Sequence, residues 1–262
     1  MKRLGPTSEA AGGSTWGWAL LLALAVAIYS LGLGNPYIPT NGDEMVYAHI
    51  ARLTAASGHW LPLVSELDNM RNTKPPLLFW QALLAGDWGH HWSLAALRTP
   101  SLIYTLLLAA MVAATVHGIT RSVARAALAA CVYLAFFSTY RYGRPFLTSA
   151  PETFWLSLPM FWLLWQGIQP LPPATATAKP DASPGWWAHP AFGLAIGLGL
   201  AYKSFALVAP AAAALWCARL ATEPQLNARV LRRASLQVAL SASLALAIFG
   251  LWFALDPDPA AV

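Results

Sequence analysis

Long apolar stretches separated by short polar segments set the pattern of this chain. A membrane-spanning helix needs about 20 consecutive, mostly apolar residues. Windows that approach this pattern lie at residues 16–34, 95–117, 124–140, 153–169, 188–201, 203–220 and 235–255. A lysine interrupts the tract from 188 to 220 at Tyr202-Lys203-Ser204, and because its charge would be costly in a membrane core, we expect a tight turn there. The pattern predicts an all-α, polytopic membrane helix bundle of about seven passes.

Residues 35–94 are the main segment outside the predicted passes, and they carry two helical patterns. Residues 43–55 begin with an acidic pair, which favours the dipole of a helix N-terminus, and apolar residues follow at helical spacing. A second helix is expected to begin at the two prolines 75–76 and to continue as an almost wholly apolar stretch. Apolar helices with tryptophans suit the membrane surface, so we expect interfacial helices in this loop.

The basic residues indicate an orientation, because they are more frequent in cytoplasmic loops. With a cytoplasmic N-terminus, residues 1–15 form a cytoplasmic tail, 16–262 a transmembrane domain, 35–94 its first outer loop and 169–187 a cytoplasmic linker. Nine of the 16 basic residues and three of the 11 acidic ones then lie inside. The outer basic residues lie in the first loop or at membrane edges, which suggests that they bind an anion near the outer surface.

Composition narrows the class of protein. Hydrophobic residues make up 57% of the chain and charged residues 10%, whereas a soluble domain carries about 25% charged residues. This excludes an ordinary soluble globule and a disordered chain. The net charge of +5 is spread without a basic run, so no nucleic-acid partner is expected. The two cysteines, Cys131 and Cys217, support neither a disulfide framework nor a zinc site.

Two short sequence motifs in the predicted outer loop contain candidate catalytic and binding residues. The first is Asn41-Gly42-Asp43-Glu44, a turn followed by a carboxylate pair that can supply a general base or a metal ligand, or can simply cap a helix. The second is Thr73-Lys74-Pro75-Pro76-Leu77, in which the lysine can hold a lipid phosphate or extend to the headgroups. Each motif by itself leaves both the functional and the structural interpretation open.

The order of these and two further motifs along the chain is more specific for a protein family than any one motif. GDEMVY at 42–47 is followed by GHWLP at 58–62, KPPL at 74–77 and GLGLAYKS at 197–204. This order strongly resembles the membrane glycosyltransferases of the GT-C superfamily. The most similar groups are the bacterial aminoarabinose-to-lipid A transferases and the protein O-mannosyltransferases. The resemblance covers residues from about 20 to 255.

The resemblance implies an inverting glycosyltransferase of the bacterial inner membrane. Such an enzyme takes a sugar from a polyprenyl-phosphate carrier among the membrane lipids and transfers it to a lipid or protein acceptor on the outer side. Asp43 matches the catalytic carboxylate that activates or orients the acceptor, and Glu44 is the second candidate. Lys74 matches the lysine that engages the carrier phosphate, where a fixed cation neutralises charge that grows in the transition state. Lys203 matches the lysine of a later turn and is expected to share that role.

Three further residues are weaker candidates. Arg141 and Arg144 are expected at the outer end of the third pass, as additional phosphate ligands. Tyr47 is a candidate for the lining of the site, with packing as the alternative.

Two departures from the family pattern qualify the resemblance. Thr73 stands where the aminoarabinose transferases often have glutamate, so a metal site using that glutamate lacks its ligand, and a divalent metal is the one candidate cofactor. Ser149 stands at the usual position of a second acid, and Glu152 follows three residues later on the same helical face. Glu152 is therefore a candidate substitute acid, or else a glutamate that favours the helix N-terminus.

Length and the missing acid leave alternatives to an active enzyme. Members of such families usually run to twice this length, so we expect the chain to be C-terminally incomplete. A catalytically inactive membrane scaffold would explain both the short length and the serine at position 149, where an acid is usual. A lipid-handling carrier would instead need paired charges along a midplane pathway and related half-repeats, and neither is visible in the sequence.

Overall fold

The computed structural model of the chain describes residues 15–36, 42–66, 74–168, 185–221, 223 and 225–256. These residues form α-helices, two short 3-10 helices and no strand. The α-helices in chain order are α1 (Thr15–Ser30), α2 (Gly42–Ser57), α3 (Leu77–Ala85), α4 (Leu94–Thr120), α5 (Val123–Ala135), α6 (Phe137–Gly143), α7 (Ser149–Ile168), α8 (Ala188–Leu200), α9 (Val208–Ala221) and α10 (Ala228–Leu255). The all-α fold class predicted from the sequence is confirmed.

The helices follow the apolar windows, and local side chains fix several of their ends. The tract from 188 to 220 is interrupted as expected, because α8 ends before a turn at Lys203 and Ser204 accepts a hydrogen bond from the backbone N–H of Ala206 at 3.2 Å. The last helix begins earlier than its apolar window, because the side chain of Asn227 caps it by accepting from the N–H of Val230 at 3.0 Å.

The third window is divided into two helices. Phe136 adopts an extended backbone conformation between α5 and α6, and the two helix axes differ by 63°. The bend lets α6 contact α4, where the Thr105 hydroxyl donates to the carbonyl oxygen of Gly143 at 2.8 Å, so the second half of the third window is a separate short helix.

Length and apolar composition identify the helices that can cross a membrane. Within the described residues, α4 and α10 are each long and apolar enough, and the bent pair of α5 and α6 passes the same test as one broken span. Three more apolar stretches are shorter: Thr15–Ser30, Ala188–Leu200 and Phe205–Ala221. These helices fit a multi-pass membrane bundle, but fewer reach spanning length than the seven windows suggest. The predicted tail up to residue 14 and the linker over 169–184 lie outside the described residues.

Glycines bring α8 and α10 into close contact. A Cβ atom on Gly197 would lie 2.8 Å from the Cβ of Ile248 and 3.1 Å from the carbonyl oxygen of Ala245. Small residues at such positions let helix backbones approach closely, which is how helices pack in membranes. Phe192, Leu215 and neighbouring apolar residues of α7 to α10 complete this core.

A second core packs between the loop helices α2 and α3 and the helix bundle, and it positions the candidate site. Ile50 of α2, Phe79 of α3 and Leu97 of α4 are buried together with Phe146 and Tyr202. This core joins the loop helices to the end of the bundle, where α4, the segment before α7 and the turn after α8 meet.

Candidate active site

A buried ion pair fixes the start of α2. The guanidinium of Arg98 donates from Nε to Oε1 of Glu44 at 2.7 Å and from Nη2 to Oε2 at 2.8 Å. The backbone N–H of Phe146 also donates to Oε1, at 2.8 Å. Glu44 is 0% exposed and Arg98 1% exposed, and their bidentate geometry supplies the hydrogen bonds that buried charges need.

Arg98 extends this connection to the chain after α1. Its Nη1 donates to the carbonyl oxygens of Leu33 at 2.8 Å and of Asn35 at 3.1 Å. One side chain thus joins α2, α4, the end of α1 and, through Glu44, the segment before α7.

This geometry favours a positioning role for Glu44. Both of its carboxylate oxygens already accept hydrogen bonds from protein donors and are shielded from solvent. The sequence interpretation of Glu44 as the second candidate for the catalytic carboxylate has less support from these contacts. Its partner, Arg98, was missing from the sequence-based candidates. Its position could have indicated a role, because a charged residue inside an apolar window such as 95–117 is costly and therefore usually functional.

Asp43 differs from its neighbour, because it is exposed at the first turn of α2. Tyr47 lies one turn further along the same helix and packs edge-on against the ring of Phe79, with 5.9 Å between ring centroids. Burial raises the pKa of the Tyr47 hydroxyl, and the nearby negative charge of Asp43 acts in the same direction. The structure therefore brings Asp43 and Tyr47 together on one helix, with the ring of Tyr47 in the packing beneath the loop.

Three other candidates come together across the chain. Nζ of Lys203, in the turn after α8, lies 3.6 Å from Oε2 of Glu152 in the first turn of α7. Lys74, just before α3, also has a favourable Coulombic interaction with the Glu152 carboxylate. The Glu152 side chain is 12% exposed and that of Lys203 47%, so the lysine can meet a ligand while the carboxylate stays largely covered. These residues form a charged group of two cations and one anion.

A chain of hydrogen bonds holds the turn that carries Lys203. The hydroxyl of Tyr202 donates to Oε1 of Gln81 in α3 at 2.9 Å and lies 3.2 Å from the hydroxyl of Tyr104 in α4. Nε1 of Trp155 in α7 donates to the same Tyr104 hydroxyl at 3.3 Å. This network was not predicted from the sequence. Its one member near a predicted site residue in sequence is Tyr202, which precedes Lys203 in the GLGLAYKS motif.

The two candidate arginines lie at the end of α6 and directly after it, and they have different surroundings. Arg144 is 2% exposed, and its guanidinium lies over the rings of Tyr140 at 4.5 Å and Tyr29 at 5.7 Å. It also donates to the carbonyl oxygen of Leu31. Cation–π contacts with aromatic rings stabilise a guanidinium, and these contacts favour a structural role over the phosphate binding that the sequence suggested. Arg141 is exposed beside the ring of Tyr142 at 5.6 Å.

The sequence left a divalent metal open as a cofactor. Among the residues that the structure describes, no three His, Cys, Asp or Glu side chains are grouped closely enough to hold a metal ion. The described residues do include an exposed carboxylate, Asp43, and two lysines, Lys74 and Lys203, that interact with Glu152. A carboxylate can activate a hydroxyl, and lysines can bind a phosphate.

Comparisons with known proteins identify the family and the fold. The family model described as dolichyl-phosphate-mannose-protein mannosyltransferase matches residues 20–259. The chain is also similar in fold to the Saccharomyces cerevisiae protein O-mannosyltransferase Pmt1-Pmt2 complex bound to the sugar donor, with a TM-score of 0.55 and 14% sequence identity. The similarity covers 93% of this chain and 35% of that one, so this chain spans about a third of that protein's length. The predicted resemblance to GT-C membrane glycosyltransferases is confirmed, and the chain belongs to the dolichyl-phosphate-mannose-protein mannosyltransferase family.

Proposed function

We propose that this chain carries the sugar-transfer site of an inverting glycosyltransferase. The donor is a polyprenyl-phosphate sugar in the membrane, and the acceptor is a hydroxyl group on the outer side of that membrane. The observation that carries the proposal is the contrast between Glu44, held by Arg98, and Asp43, exposed beside it. A rigid helix start that presents one solvent-facing carboxylate suits general-base chemistry, because a base must be held in place to be effective.

The reaction requires a base and a leaving-group binder. Asp43 accepts the proton of the acceptor hydroxyl, whose oxygen forms a bond to the anomeric carbon of the sugar. The bond between that carbon and the phosphate oxygen breaks on the opposite face, which inverts the configuration, and the electron pair leaves with the polyprenyl phosphate. Lys74 and Lys203 neutralise the negative charge that grows on the phosphate during this step.

The remaining candidates support these groups. Glu44 and Arg98 act as positioning residues, because they hold the helix start that carries Asp43. Glu152 lies within ion-pair distance of Lys203 and orients that lysine toward the carrier phosphate. A direct role of Glu152 as a second acid is the alternative, and the two roles have different kinetic consequences.

A protein hydroxyl is the acceptor that the family match favours, since the matching family is that of protein mannosyltransferases. A lipid acceptor is the alternative that the aminoarabinose transferases suggest. The proposed location is a bacterial inner membrane, with the N-terminus in the cytoplasm and the site facing outward.

The test is transfer of radiolabelled mannose from polyprenyl-phosphate mannose to a Ser/Thr-containing peptide, with the chain in lipid nanodiscs. We expect Asp43→Asn to abolish transfer while the variant inserts and folds as the wild type does. Asp87→Asn is the matched control, because Asp87 is an exposed aspartate of the same loop. Transfer by Asp43→Asn at the wild-type rate would refute the assignment, and no transfer by the wild type to a peptide or to lipid A would favour an inactive scaffold.

A further inference from the structure

An apolar groove of about 420 Å³ lies between α1, α5 and α6. Leu24 and Ala25 belong to the wall that α1 contributes. Ala135 and Phe137 line the groove on either side of Phe136, where the chain bends between α5 and α6. The groove therefore follows from the bend that divides the third apolar window.

Two tyrosines fix one end of the groove. The hydroxyl of Tyr29 in α1 donates to the carbonyl oxygen of Thr139 in α6 at 2.8 Å, and the rings of Tyr29 and Tyr140 meet edge-on with 6.3 Å between their centroids. The buried guanidinium of Arg144 lies over both rings. These contacts hold α1 against α6, so the groove exists without a ligand.

The walls of the groove call for an apolar occupant. Leu24 is 57% exposed, Ile28 58% and Phe137 69%, and all three line it. These residues belong to apolar helices that fit a membrane bundle, so their exposed side chains face lipid. A polar group in such a groove would lose its hydrogen bonds to water without replacing them. A hydrocarbon chain fits these walls.

A cation stands at the edge of this apolar surface. Arg141 follows Phe137 by four residues in α6, and side chains at that spacing lie on the same face of a helix. Arg141 is exposed, whereas Arg144 is buried. The three helices that form the groove, α1, α5 and α6, contain no aspartate or glutamate to balance this charge. An arginine in such surroundings suits the phosphate of a lipid headgroup.

The groove and the candidate active site lie on different sides of α6. Ser138 and Tyr142 line a separate cavity that also contains Lys203, and neither of them lines the groove. With about 100° of rotation per residue, Ser138 and Tyr142 share one side of the helix, and Phe137 and Tyr140 share another. This separation favours an occupant other than a substrate of the proposed reaction.

We propose that the groove between α1, α5 and α6 binds one glycerophospholipid with an anionic headgroup. One acyl chain lies between Ala25 of α1 and Ala135 of α5, and the phosphate meets Arg141. The lipid fills the space at the bend and supports α6, whose other side belongs to the cavity beside Lys203. The inference stands independently of the proposed sugar transfer.

The experiment measures lipid binding to the purified chain by native mass spectrometry. The chain in detergent is titrated with phosphatidylglycerol or with phosphatidylcholine that has the same acyl chains. We expect one phosphatidylglycerol to bind about fivefold more tightly than phosphatidylcholine, the scale of one basic residue acting on an anionic lipid. Ala135→Trp should abolish binding of both lipids at this site, because the indole ring fills the space of the acyl chain.

Matched variants separate the site from general effects on the helices. Val132→Trp adds the same ring to α5 at an exposed position outside the groove lining, and it should bind lipid as the wild type does. Arg141→Gln should remove the preference for phosphatidylglycerol and retain binding through the acyl chain. Arg125→Gln removes an exposed arginine from the other end of α5 and should keep the preference.

Three results would overturn the proposal: no lipid retained by the wild type, wild-type binding by Ala135→Trp, or an unchanged preference in Arg141→Gln. Displacement of phosphatidylglycerol by an equal concentration of polyprenyl phosphate would assign the groove to the donor's chain and also overturn it. A dimer that Ala135→Trp dissociates, with lipid binding unchanged, would assign the groove to a second copy with the same consequence. Because no turnover is measured, failure of sugar transfer would leave the result of this experiment unaffected.

Discussion

Arg98 holds both carboxylate oxygens of Glu44, at 2.7 Å and 2.8 Å, and so joins α4 to α2 across 54 positions of sequence. The same carboxylate accepts a hydrogen bond from the backbone of Phe146, while Arg98 also binds carbonyl oxygens beyond α1. Asp43 precedes Glu44 directly in the chain, so the position of this exposed carboxylate depends on the buried pair beside it.

Breaking this pair should destabilise the protein more than removing it entirely. We expect Glu44→Ala and Arg98→Ala each to lower the free energy of unfolding by about 3–5 kcal/mol, because each leaves a buried charge without its partner. The double variant should lose clearly less than the sum of the two single losses, since it leaves neither charge unpaired. Thermal or denaturant unfolding in detergent measures these differences.

Arg52→Ala is the control for this cycle, because Arg52 is an exposed arginine on α2 and its loss should change stability by less than about 0.5 kcal/mol. Additive losses from the two single variants would show that the pair does not act as a unit.

Glu152→Gln should distinguish the two roles of this carboxylate. If Glu152 only orients Lys203, the substitution should leave kcat nearly unchanged and alter KM for the donor, because the ion pair at 3.6 Å is lost. If Glu152 is a second acid or base, kcat should fall by about 10²-fold or more, the usual scale of general acid–base catalysis. Steady-state transfer kinetics at varied donor concentration give both constants.

We expect the first of these outcomes, with Lys203→Met as the companion variant. Lys203→Met should lower kcat, raise KM for the donor and weaken binding of bare polyprenyl phosphate, because the cation that meets the phosphate and neutralises its growing charge is removed. Unchanged binding of that probe would contradict the phosphate role of Lys203.

Tyr47 should contribute to the loss of stability at alkaline pH. Burial and the charge of Asp43 raise the pKa of its hydroxyl in the folded protein, so the unfolded chain releases this proton first as the pH rises. The free energy of unfolding should therefore fall with rising pH above the ordinary tyrosine pKa of 10.0, and be unaffected below it. Tyr47→Phe should make this fall shallower, as measured by unfolding between about pH 9 and pH 11, around that pKa.

Tyr47→Phe should also keep near-normal transfer at neutral pH, because the ring retains its edge-on contact with Phe79. A large rise in KM for the donor would instead show that the hydroxyl lines the site. Phe79→Leu is a useful comparison, since it removes the aromatic contact and leaves the Tyr47 hydroxyl in place.

The close contact between α8 and α10 should not tolerate a larger side chain. Gly197→Leu should destabilise the protein by about 1–3 kcal/mol or more, because even a Cβ atom there would lie 2.8 Å from Ile248. Gly250→Ala is the matched control, since nothing lies within 4 Å of a Cβ at that position of α10 and alanine is the better helix former. Unfolding in detergent should show a lower midpoint for the first variant and an equal or higher one for the second. Equal midpoints for both would refute the packing argument.

The pattern of apolar residues determined most of the helices, but not the break at Phe136 that divides the third window. The turn at Lys203 and the two loop helices followed from local chemistry, because a charge in an apolar tract, an acidic pair and a pair of prolines each restrict the chain within a few residues. The sequence also indicated four candidate site residues, because the order of the motifs establishes the family resemblance. These candidates are Asp43, Lys74, Glu152 and Lys203.

Tertiary structure decided which of the charges are available for chemistry. Glu44 and Asp43 are neighbours in sequence, yet one is buried against Arg98 and the other is exposed. Arg144 resembles a free cation in the sequence and is instead enclosed by the rings of Tyr29 and Tyr140. Sequence patterns report the local environment of a residue, whereas Arg98 and Tyr29 lie more than 50 positions from Glu44 and Arg144 and meet them only when the helices pack. The burial of each charge, and hence its role, depends on that long-range packing.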